Sequence, residues 1–154
     1  MSAVRFEVVG LPVQQGSKKH VGNGVMVEAA KGHKAWRADV ADAARDVADG
    51  RPFDGPLALT VHFRFPMPAS RKAAVRRAGY GPKSTAPDLD KLIRAVGDSL
   101  QAGGLVADDA RFCEITATKT EVRGWTGVEI TVTDRLDWHN HGPSPRVHGK
   151  GEQG

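Results

Sequence analysis

The stretch APDLDKLIRAVGDSLQAGGLVADDAR, residues 86–111, decides how the rest of the chain is read. It opens on two aspartates spaced D-x-D, Asp88 and Asp90, and closes on a second acidic pair, Asp108-Asp109. Pro87 disfavours helix in the residue before it and Asp88 is a good N-cap, so a helix is expected to begin here. At about 100° per residue Leu89, Leu92, Ile93, Val96 and Leu100 form one apolar stripe. Asp90, Arg94 and Asp98 fall outside that stripe at i, i+4 spacing. Gly103-Gly104 end the helix, and Leu105 and Val106 lead into the second acidic pair.

The two acidic groups face a geometric constraint. About fifteen helical residues rise about 22 Å, and a return over that distance takes roughly seven extended residues. Only about four residues separate Gly104 from Asp109, a span short of that return. The groups meet only if the helix is shorter, or bent, or flanked by a partner subunit. Each piece has an ordinary reading: Asp88 as a cap, Asp90 as a first-turn charge, Asp108-Asp109 as a turn. Gathered on one site, three or four carboxylates repel unless a cation joins them. Oxygen-rich carboxylate sites suit Mg²⁺ and Mn²⁺.

The run P-D-L-D-K-L-I-R-A-V-G-D-S-L, followed by D-D-A, resembles the RusA family of phage-type Holliday junction resolvases. The family pattern is D-x-D-N-x-x-K-x-x-x-D-x-L ahead of a D-D pair, and the motif core covers about a sixth of this chain. The resemblance implies that Asp88, Asp90 and Asp109 are catalytic, metal-binding aspartates, with Asp108 either sharing ligand duty or holding the turn. It places the family's catalytically important lysine on Arg94, and Lys91 stands where the family has asparagine. Arg94 keeps the charge but does not give up a proton, so a phosphate contact is retained and a lysine-type proton transfer is not. The resemblance further implies Mg²⁺ as cofactor (Mn²⁺ as substitute), branched DNA as partner and a homodimer with two active sites.

Composition is compatible with this. The 154 residues suit one domain, and a net charge of +4 permits a polyanionic partner. One cysteine, Cys113, excludes an intrachain disulfide and fits a reducing compartment; it reads as a small hydrophobe in a strand. No signal-like or membrane-spanning apolar run is present, which leads to the expectation of a cytoplasmic protein.

Along the chain, Val4–Val9 alternates as a first strand and Gly10-Leu11-Pro12 ends it. The loop QQGSKKH, residues 14–20, is either solvated or a phosphate contact through Lys18 and Lys19. Val21–Ala29, interrupted by Gly-Asn-Gly, reads as a short hairpin. Lys34–Ala48 is a helix burying Trp36, Val40, Ala43, Ala44 and Val47, with Trp36 in the core rather than stacked on a base. Leu57–Phe65 is a strand with Leu57, Leu59, Val61, Phe63 and Phe65 on one face and His62 on the other. Residues 66–87 carry Arg71, Lys72, Arg76, Arg77 and Lys83 with no acidic residue among them, a basic run suited to DNA just ahead of the D-x-D pair. Tyr80 is either a base-stacking platform or a loop anchor. Arg111–Thr120 and Gly127–Thr133 read as a final hairpin, with Glu114 and Glu121 as surface charges.

The expected architecture is α/β, a small mixed sheet with two main helices packed on one face. Residues 1–136 form the nuclease domain, and 137–154, containing His139 and His141, a disordered polar tail. The expected activity is metal-dependent endodeoxyribonuclease cleavage of four-way junctions by paired symmetric nicks, in recombination, repair or phage genome processing. Asp88, Asp90, Asp109 and Arg94 carry it, and Lys18, Lys19, Arg71, Lys72, Arg76, Arg77, Lys83, Lys91 and Arg94 hold DNA. The alternatives are a flap- or fork-specific nuclease of the same fold and a basic, non-catalytic DNA-binding accessory.

Overall fold

The computed structural model describes residues 3–14 and 23–136, with side chains of the first helix from Lys34 onward. The element order is β1 (Ala3–Val9), α1 (Asn23–Ala48), β2 (Leu57–Pro66), α2 (Ala73–Ala78), β3 (Tyr80–Pro82), α3 (Leu89–Ala102), a 3-10 turn (Asp109–Arg111), β4 (Phe112–Val122) and β5 (Gly127–Thr133). The five strands form one mixed sheet in the order β1-β5-β2-β4-β3. β5 is antiparallel to both β1 and β2, β4 runs parallel to β2, and β3 is antiparallel to β4.

β2 is the centre because it has the strictest alternation. Leu57, Leu59, Val61, Phe63 and Phe65 are all buried, while Thr60, His62 and Arg64 between them are only half-buried. The buried row joins Trp36, Val40 and Ala44 of α1, Leu92, Val96 and Leu100 of α3, and Val128, Ile130 and Val132 of β5 in one core. That is the expected mixed sheet with two main helices on one face. The α3 stripe packs as its spacing requires, with Leu92, Val96 and Leu100 fully buried and Leu89 and Ile93 at its margin.

Two local expectations are corrected. Residues 23–29 belong to α1 rather than to a hairpin; Val21 and Gly22 lie outside the described residues. Extending a nucleated helix costs less than starting a new element, and Glu28-Ala29-Ala30-Lys31 are good helix formers, so the helix takes in Asn23 and Gly24. β4 and β5 are also not a hairpin, because β2 lies between them and pairs with both. The connection at 123–126 crosses the end of β2, where Arg64 Nε donates to the Trp125 carbonyl at 2.9 Å and the Arg64 guanidinium lies 4.3 Å from the Trp125 ring centroid. Gly127 begins β5 at φ +155°, where an added Cβ would run into the Val8 carbonyl, so only glycine lets β1 approach there.

The basic run is more structured than a loop, forming α2 and the edge strand β3. Glu121 is buried rather than a surface charge, and Cys113 is an exposed thiol of β4. No helix among the described residues is long and apolar enough to cross a membrane. The tail at 137–154 lies outside the described residues.

Candidate active site

α3 is the spine of the site. Asp88 occupies its N-cap position with extended backbone, yet its carboxylate accepts no capping hydrogen bond from the helix. The carboxylate stays more than half exposed, 3.5 Å from Lys91 Nζ one turn on. Its backbone is held from a distance: the Asp88 N–H donates to Gln14 Oε1 at 2.7 Å, and Lys119 Nζ of β4 donates to the carbonyls of Pro87 and Thr85 at 2.6 and 2.7 Å. Asp90 and Arg94 are exposed, and among the described residues neither carries an ion pair or side-chain hydrogen bond.

The second acidic pair is placed by the end of the same helix. Leu105 N–H donates to the Leu100 carbonyl at 3.0 Å, and Phe53 then brackets the chain, donating to Leu105 and accepting from Ala107. Asp108 accepts from the Ala110 N–H at 2.9 Å, closing the 3-10 turn that presents Asp109. Asp109 N–H donates to Gln101 Oε1 at 2.9 Å, and the Asp109 Cβ would lie 3.8 Å from a Cβ built on Gly97. Asp109 therefore rests against the middle of α3 beside Asp98. Partial desolvation, then the Asp98 charge and hydrogen-bonding contact with Asp108 and Asp98, raise its carboxyl pKa above the ordinary 3.8. Asp98 is in turn 3.7 Å from Arg37 of α1.

This resolves the return problem read from the sequence. The helix is full length, and the returning chain reaches Asp98, about 12 Å along the axis from Asp90. Among the described residues no group of three or more His, Cys, Asp or Glu side chains is arranged to hold a metal ion. Within one chain Asp108 and Asp109 are brought together with Asp98, while Asp88 and Asp90 are held at the other end of the helix. Asp98 was legible as the third member of the Asp90, Arg94, Asp98 row. Lys119, Gln14 and Arg37 carried no sequence signal, since each reaches the site across the fold.

The basic run divides in two. Arg71 and Lys83 turn toward buried Glu121, at 3.3 and 3.7 Å. Lys83 also donates to Thr85 Oγ1 at 3.0 Å and lies 5.2 Å from the Phe65 ring centroid. These two charges pair with Glu121 at the β3–β4 edge. Arg76 donates to the Pro68 carbonyl at 3.1 Å, and Lys72 and Arg77 are exposed with no ion pair among the described residues. Tyr80 is 66% exposed at the sheet edge. Lys18 and Lys19 lie outside the described residues.

An acidic helix face carrying Arg94, unpaired among the described residues, in a basic α/β chain suits the handling of a polyanion that carries phosphodiester bonds. The family model described as endodeoxyribonuclease RusA matches residues 9–133. The chain belongs to the RusA endodeoxyribonuclease family, and the family implies endodeoxyribonuclease activity on branched DNA and points to a Holliday junction resolving endonuclease. Comparison with curated proteins gives no match.

Proposed function

We propose that this chain is a Mg²⁺-dependent structure-specific endodeoxyribonuclease, with Mn²⁺ as a substitute ion, that resolves four-way junctions by paired symmetric nicks. The reading includes a homodimer, since two-fold symmetry suits two symmetric cuts, and a cytoplasmic role in recombination, repair or phage genome processing. The observation that carries it is the RusA match across residues 9–133, a span that contains Asp88, Asp90, Arg94, Asp108 and Asp109.

The donor chemistry fits a divalent cation. Desolvation and then the charges of Asp98 and Asp108 raise the Asp109 pKa, and a cation at Asp109 would relieve that repulsion. Within one chain Asp109 lies apart from Asp88 and Asp90, so these three would hold one ion together only across the subunits of the homodimer, with Asp108 beside Asp109. When bound, the cation supplies polarisation of the scissile phosphate and a water acidic enough to attack at neutral pH. Arg94, one turn beyond Asp90, offers a planar fork of donors that is always charged, so it holds a phosphate oxygen and does not shuttle a proton. Lys91, 3.5 Å from the Asp88 carboxylate, would screen it and contact a neighbouring phosphate. Exposed Lys72 and Arg77 neutralise phosphates of the DNA arms.

One observation favours a second reading. Asp88 and Asp90 stand apart from Asp109 within one chain, as they would if the acidic groups were structural in a non-catalytic junction-binding protein. Incubating the purified protein with a labelled four-way junction and a linear duplex, in Mg²⁺ or EDTA, separates the two. Paired metal-dependent nicks near the branch point are the expected result; binding without cleavage in either Mg²⁺ or Mn²⁺ overturns the catalytic reading.

A further inference from the structure

Two side chains distant in sequence converge on one peptide group. The Pro87 carbonyl and the Asp88 N–H are the two ends of a single planar unit. Lys119 Nζ donates to the carbonyl end at 2.6 Å and Gln14 Oε1 accepts from the N–H end at 2.7 Å. Lys119 comes from β4 and Gln14 from the segment after β1, so the unit is gripped from two different parts of the fold. Lys119 Nζ also donates to the Thr85 carbonyl at 2.7 Å, and Lys83 Nζ to Thr85 Oγ1 at 3.0 Å, which ties the turn ahead of Asp88 to the β3–β4 edge.

The partners are unusual for a helix start. The N–H of an N-cap residue is commonly taken by a Glu or Gln three residues on, closing a capping box. Here that position is Lys91, which cannot accept, and Gln14, 74 residues away, takes the bond instead. The Asp88 carboxylate meanwhile is free of the capping duty that would bend it back over the helix. Fixing both ends of a peptide plane leaves the Cα–Cβ direction of the next residue little freedom. A lysine suits the carbonyl side because its compact ammonium offers three donors, two of which are used on Thr85 and Pro87.

We propose that Gln14 and Lys119 are positioning residues whose task is to aim the Asp88 carboxylate. The proposal rests on the reading of Asp88 as a metal-binding catalytic residue. Misplacing a reacting group by about 1 Å costs on the order of 10²-fold in rate, which sets the expected effect.

The test compares Gln14→Ala, Lys119→Met and the acceptor-preserving Gln14→Glu with wild type and Asp88→Asn. In the metal-free protein, NMR amide exchange at Asp88 is expected to accelerate in Gln14→Ala and Lys119→Met, with the Val61 amide of the core unchanged. Junction binding in EDTA should stay at the wild-type level. Single-turnover cleavage should fall on the order of 10²-fold, with a higher half-saturating Mg²⁺ concentration, and Gln14→Glu should recover most of the rate. Wild-type cleavage and Mg²⁺ dependence in both Gln14→Ala and Lys119→Met, with Asp88→Asn inactive, overturns the proposal and leaves the catalytic reading standing. Undiminished cleavage by Asp88→Asn overturns both. If Lys119→Met does not fold, Gln14→Ala decides alone, since it removes one acceptor from a half-buried residue outside the hydrophobic core.

Discussion

At the scale of single residues, the carboxylates separate by environment. Asp109 is pushed up by partial desolvation and by Asp98 and Asp108, so its charged form is disfavoured in the fold. A carboxyl whose folded pKa is raised binds its proton more tightly when folded, so stability is lost as pH rises through the folded value. Asp109→Asn should therefore melt higher than wild type at neutral pH. The gain should vanish below the ordinary value of 3.8, where folded and unfolded states are both protonated. Thermal melts across pH check this, and added Mg²⁺ should raise the wild-type midpoint and leave Asp109→Asn unmoved. Asp90→Asn should abolish cleavage while junction binding in EDTA persists. Parallel loss of binding would assign Asp90 a structural task. At this scale the aspartates were readable from spacing alone, and so was Asp98, because residues four apart on a helix share a face whatever surrounds it.

At the scale of elements, the close approach of α1 to the end of α3 depends on Gly103. A Cβ there would overlap the Ala41 carbonyl oxygen and lie 2.9 Å from Ala44 Cβ. Its φ of −78° is ordinary, so the requirement is purely one of space. Gly103→Ala should cost about 1–3 kcal/mol, the usual range for overpacking, measured by denaturant unfolding. Because α3 carries Asp88, Asp90 and Asp98, a shift of its C-terminal end should also lower cleavage. Glu121 illustrates the opposite legibility. On sequence it read as a surface charge just past an alternating strand; in the fold it is 4% exposed between Arg71 and Lys83. Glu121→Gln should destabilise the β3–β4 edge, because it leaves two partly buried cations with a neutral partner.

At the scale of the whole molecule, net charge and shape govern DNA binding. Each phosphate neutralised contributes roughly −0.9 to the slope of log K against log salt. Lys72→Ala and Arg77→Ala should each flatten that slope by roughly one unit without changing the melting midpoint. Arg71→Ala should do the reverse, lowering the midpoint through Glu121 while leaving the slope nearly intact. Junction titrations at several salt concentrations, paired with melts, separate these classes within one basic run. A uniform slope change across all three variants would show that Arg71 leaves Glu121 for DNA.

The sequence by itself determined what depends on period and local geometry. It set the α3 stripe, the buried face of β2, the Lys34–Ala48 helix face, the RusA resemblance and the identity of the acidic residues. These follow from rotations of about 100° and 180° per residue, which any segment obeys alone. Only the tertiary structure decided which strands are neighbours, placing β2 between β4 and β5 where alternation allowed a hairpin. It alone sorted Arg71 and Lys83 from Lys72 and Arg77, and brought Gln14 and Lys119 to one peptide beside Asp88. Strand pairing and long-range hydrogen bonds join residues tens of positions apart, and they are chosen by how the whole core packs rather than by any local pattern.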